Sequence, residues 1–138
     1  MNERYVSKAD SRLMRFLNLF ARGKFMEEWW TTLGNTIYYP TEIKDPMVEN
    51  CKICREHELV HVRQFQRYGW LIMLCGYLLF PLPIIFSGRW YIERWAWLID
   101  IDAKACSCKY SADLLWSAYA WAWPRKEMLA WFEAHKKV

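Results

Sequence analysis

The sequence predicts a mostly helical α+β fold with one small β-hairpin. Three observations carry that expectation. Helix-period apolar spacing and helix-capping residues recur along most of the 138 residues. Strand-like composition gathers in EEWWTTLGNTIYYP, residues 27–40, around Gly34-Asn35, the two-residue signal of a tight hairpin. No repeat, low-complexity tract or linker interrupts the chain, so a single domain over 1–138 is expected, long enough to bury a core.

The elements follow in order. Asp10 is placed to cap a first helix running to about Ala21, with Leu13, Phe16, Leu17 and Phe20 on one face and Gly23 ending it. Arg12, Arg15 and Arg22 edge that face. The pattern fits a domain helix with solvated arginines, or a helix lying on an anionic membrane. Strands near 28–33 and 36–39 come next, closed by Pro40. Asp45-Pro46 reads as a helix start, with Asp at the cap and Pro at the first helical position, and nothing breaks that helix before Gly69.

Residues 70–86 carry no charge, but they fall short of a membrane span and contain Pro81 and Pro83. A buried helix ending at Pro81 and a turn through Gly88 are expected; peripheral membrane contact through 70–86 is the alternative. Three more helices complete the chain: one from about Arg89 to Lys109, one from a Ser111 cap to about Trp121, and one begun by Pro124.

A chain that is 54% hydrophobic and 18% aromatic is not disordered. Its net charge of +4 is dispersed, which points away from nucleic acid. The N-terminal MNERYVSKADSRLMRF has no apolar run of the kind a secretory signal needs, and five cysteines are an odd number. Reduced thiols and a cytoplasmic setting, with membrane association as a possibility, are the expectation. Of the Trp-rich parts, Trp29-Trp30, Trp95, Trp97, Trp116, Trp121 and Trp123 are expected mostly in the core.

The chemistry concentrates in His57-Glu58-Leu59-Val60-His61, a complete HExxH motif in the middle of the second predicted helix. Residues four apart share a helix face, so both imidazoles can reach one Zn²⁺. Glu58 is rotated about 100° from the first ligand, beside the metal rather than on it. There it can act as general base toward a water that zinc makes acidic.

A third ligand is needed, and the extended HExxHxxGxxH form is absent, since Gln64 and Arg67 occupy the relevant positions. Glu93, near the start of the next charged helix and followed by the small Ala96, is the best candidate; His135, Asp100 and Asp102 are weaker ones, and Asp100 could instead orient a ligand imidazole. Tyr91, Tyr110, Tyr119 and His135 are open as oxyanion partners. Cys51 and Cys54 form a CxxC, and Cys106 and Cys108 a CxC; a second, structural zinc on these four is the minor reading beside plain reduced thiols.

HELVHVRQ at 57–64, followed at a distance by YIERWA at 91–96, resembles the gluzincin group of metallopeptidases. The likeness is to compact minigluzincin-type domains, built from a short sheet, a zinc helix and a glutamate helix; GNTIYYP resembles the edge-strand region upstream of the zinc helix. The resemblance spans roughly 29–105 and implies His57, His61 and Glu93 as ligands, Glu58 as base and peptide or protein as substrate. Larger gluzincins often carry an acidic residue four positions after the third ligand, where this chain has Trp97. The alternatives are a catalytically silent zincin-like binding module and a membrane-associated protein relying on 70–86.

Overall fold

The computed structural model describes residues 3–21, 24–78, 88–118 and 124–137. It is a mostly helical α+β protein with a three-stranded sheet. The chain divides into two compact units, residues 1–66 and 67–138.

The first unit holds the sheet, formed by β1 (Arg4–Ser7), β2 (Thr31–Leu33) and β3 (Thr36–Tyr39) in the order β1-β3-β2. The expected hairpin is present. β2 and β3 pair antiparallel with Leu33 opposite Thr36, and Gly34 takes φ 62°, which a glycine adopts without strain at the first of two turn positions. β2 begins at Thr31, later than the expected 28. Sequence reading did not anticipate β1, which runs parallel to β3 from Arg4 opposite Thr36 to Ser7 opposite Tyr39. It covers what would otherwise be an open edge of β3.

The first helix, α1 (Arg12–Asn18), is capped by Ser11 rather than Asp10: Ser11 Oγ accepts the Met14 N–H at 3.2 Å, and Met14 is fully buried. It stops at Asn18, short of Ala21, where the Leu19 and Phe20 N–H groups bond the Phe16 and Leu17 carbonyls three residues back, the tighter 3-10 pattern of a helix end. Gly23 and Arg22 lie outside the described residues. Asp45 does cap, but only a turn, accepting the Met47 N–H at 2.8 Å. The helix proper, α2 (Lys52–Leu78), starts after a 3-10 turn at Glu49–Cys51, and Arg55 ties loop to helix by donating to the Pro46 and Val48 carbonyls.

Gly69 interrupts α2 with φ 78° and ψ 167°, so the expected stop is real, and helical geometry resumes beyond it to Leu78. The expectation of a buried helix here is corrected. Met73 is buried, but Trp70, Leu71, Ile72 and Leu74 are exposed, because only one face of this stretch is covered. Pro81, Pro83 and the rest of 79–87 lie outside the described residues.

The second unit continues with α3 (Gly88–Asp102), α4 (Cys108–Ala118) and α5 (Arg125–His135). The start of α3 comes very close to α2: a Cβ on Gly88 would stand 2.7 Å from Gly76 Cα. α3 ends at Asp102 and not Lys109, with Lys104 at φ 58° turning the chain. Ser107, not Ser111, caps α4 by accepting the Tyr110 N–H at 3.1 Å; Ser111 is buried inside the helix and donates to the Ser107 carbonyl. Pro124 starts α5 as expected. Trp90, Ile101, Leu115, Met128 and Phe132 form the core of this unit, with the Trp90 and Phe132 rings edge-on at 5.5 Å. Trp121 and Trp123 lie outside the described residues.

Candidate metal centre

α2 carries His57 and His61 one turn apart, with ring centroids 5.3 Å from each other. One turn further along, the buried Gln64 presents its amide oxygen 2.9 Å from His61 Nδ1. With an acceptor facing it, Nδ1 is the nitrogen that carries the proton, and the Nε2 lone pair is left for a metal. The helix therefore supplies both a candidate ligand and the group that orients its ring.

Glu58 is buried, and its Oε2 accepts a hydrogen bond from Thr32 Oγ1 at 2.7 Å. Thr32 is the central residue of β2, opposite Ile37, and strand alternation turns it inward while Thr31 and Leu33 are only partly covered. Sequence reading missed Thr32. Its signal was available in the alternation of Thr31-Thr32-Leu33, but the partner lies on another element.

Lys8 was also missed. It lies in a short 3-10 turn between β1 and α1 and is fully buried; its Nζ donates to the Phe25 carbonyl at 2.7 Å and stands 3.6 Å from the Phe25 ring centre. Burial lowers its pKa to about 8, against the opposing pull of the Glu58 and Glu27 charges. A lysine in Lys8-Ala9-Asp10 looks like surface in sequence, and nothing local marks it as buried.

Glu93 lies on α3 and is buried, and Ala96, three residues on, is fully buried as its small size allows. The candidate ligand atoms of His57, His61 and Glu93 all lie within 4.8 Å of one another. Two imidazoles and a carboxylate are the donor set of a zinc site that keeps a fourth position open, so these residues fit the metal the motif implies.

Asp102 and His135 have partners of their own. Asp102 accepts the Lys137 N–H at 2.8 Å, and His135 stacks on Trp131 with its Nδ1 2.8 Å from the Trp131 carbonyl. Asp100 is not part of the three-residue group either, and its carbonyl accepts the Ala105 N–H. Tyr91 carries the Arg94 guanidinium 4.5 Å from its ring centre, Tyr110 is exposed on α4, and Tyr119 lies outside the described residues. Cys51, Cys54, Cys106 and Cys108 are thiols outside any disulfide and, among the described residues, form no metal-ligand group. Burial pushes the Cys106 and Cys108 thiols up, which keeps them protonated near neutral pH. Among the described residues no helix is long and apolar enough to cross a membrane.

Comparison of the chain with protein-family models, with curated proteins and with solved structures finds no match.

Proposed function

We propose that this chain is a zinc-dependent peptidase of gluzincin-like type, with His57, His61 and Glu93 as ligands and Glu58 as general base. The observation that carries the reading is the clustering of the three donor residues within 4.8 Å, next to a buried carboxylate held from the sheet. When bound, zinc supplies Lewis acidity, making a water acidic and polarising the carbonyl of the scissile peptide bond.

The chain's own residues supply the rest. Thr32 engages Glu58 Oε2, which leaves Oε1 to take the proton of the attacking water and return it to the leaving amine. Gln64 keeps the His61 proton on Nδ1. Burial of Glu58 and His61 limits competition from bulk water at these atoms.

The test is elemental analysis of purified wild type, His57→Ala and Glu93→Ala, followed by peptide hydrolysis by wild type and Glu58→Gln. One zinc per chain, lost with His57→Ala and weakened with Glu93→Ala, and hydrolysis abolished in Glu58→Gln would support the reading. Zinc bound by those residues without Glu58-dependent hydrolysis would make the chain a silent zincin-like module. No zinc, or zinc indifferent to His57, would sink both.

A further inference from the structure

α1 and the turn after it carry a surface that neither the sheet nor the metal centre explains. Phe16, Leu19 and Phe20 are 57%, 76% and 74% exposed, and Leu13 is exposed beside them. Met14, on the same helix, is fully buried, so the element is anchored through one face while the other presents apolar groups to solvent. The Phe16 and Phe20 rings meet edge-on at 5.4 Å, forming a single aromatic projection. Large contiguous apolar exposure of this kind marks an interaction surface.

The charges beside it select the partner. Arg12 and Arg15 are exposed on α1, and among the described residues neither takes part in an ion pair. Residues 11–21 contain no acidic side chain. An apolar projection flanked by cations, on a segment whose nearest acid is Asp10 ahead of the helix, matches a lipid surface with negative headgroups, where guanidinium groups meet phosphates as aromatic and leucine side chains enter the acyl boundary.

We propose that α1 docks the protein on an anionic lipid bilayer, with Phe16, Leu19 and Phe20 inserted and Arg12 and Arg15 on headgroup phosphates. This attachment is peripheral and independent of the metal centre. The exposed Trp70, Leu71 and Ile72 of α2 offer an internal contrast, since that stretch is uncharged and would bind neutral and anionic lipid alike.

The experiment is co-sedimentation of the full chain with vesicles of phosphatidylcholine alone and of phosphatidylcholine with phosphatidylglycerol, at low and high salt. Light scattering of the protein without lipid runs in parallel. Wild type is expected to bind the anionic vesicles in a salt-sensitive manner. Arg12→Gln with Arg15→Gln should weaken binding roughly thirty-fold, the factor for two interfacial arginines. Phe16→Ser with Phe20→Ser should remove most of the remainder. Circular dichroism identical to wild type shows that these exposed substitutions leave the fold intact.

Three results would overturn the proposal: no vesicle binding by folded wild type, equal binding to both vesicle types lost only in Leu71→Ser with Ile72→Ser, or self-association abolished by Phe16→Ser with Phe20→Ser in place of lipid binding. The last would assign the surface to a second copy of the chain.

Discussion

Thr32 Oγ1 stands 2.7 Å from Glu58 Oε2, so the motif's carboxylate takes its orientation from the sheet as well as from its own helix. Thr32→Val keeps the shape and removes the donor. Peptide hydrolysis is expected to fall about 10–100-fold with zinc content unchanged, the usual cost of losing a group that orients a catalytic one. Parallel kcat and metal measurements check this, and a loss of zinc equal to the loss of rate would contradict it.

Gln64 plays the corresponding role for His61. Gln64→Leu leaves the imidazole Nδ1 without its acceptor at 2.9 Å. Zinc affinity, read by competition with a chromophoric chelator, should weaken by roughly 10–100-fold while the far-ultraviolet dichroism stays as in wild type.

Metal binding at the proposed site would be linked to folding. Zinc bound only by the native state stabilises it by about 2.7 kcal/mol when free metal is a hundredfold above Kd. Chelation should therefore lower the melting temperature of wild type and leave that of His57→Ala unmoved; an equal response in both would place the metal elsewhere.

Lys8 makes stability depend on alkaline pH. In the folded chain it gives up its proton at about 8, whereas its unperturbed value is 10.5. Between those values the unfolded chain binds the additional proton, so stability rises with pH. The cost of burying the cation is full below about 8 and is gone above 10.5. Relative to Lys8→Met, wild type should gain roughly 1–2 kcal/mol between about pH 7.5 and pH 9.5 in urea unfolding. A pH-independent difference would show that Lys8 titrates normally.

Two glycines in the second unit should respond differently to alanine. A Cβ on Gly88 meets Gly76 Cα at 2.7 Å, backbone that cannot yield without moving a helix. A Cβ on Gly76 meets Ile92 Cδ1 at 2.6 Å, the far end of a flexible side chain. Gly88→Ala should cost about 1–3 kcal/mol. Gly76→Ala should cost clearly less, since helix propensity returns up to about 1 kcal/mol. Thermal unfolding of the two variants tests the order.

What the sequence determined was local. The turn at Gly34-Asn35, the break at Gly69, the start at Pro124 and the shared face of His57 and His61 each depend on backbone rules spanning a few residues. Glu93 could be ranked above Asp100, Asp102 and His135 by its place on the following helix, but its distance to the histidines is a long-range quantity.

The tertiary structure decided everything that needed two distant segments. β1 exists because β3 has a second edge to pair. Thr32 reaches Glu58 across 26 positions of sequence, and Lys8 is buried under Phe25, 17 positions away. The exposure of Leu71 and Ile72 was equally out of reach, since an uncharged run reads the same whether it is covered or not. Periodicity tells which residues share a face; only the assembled chain shows what that face meets.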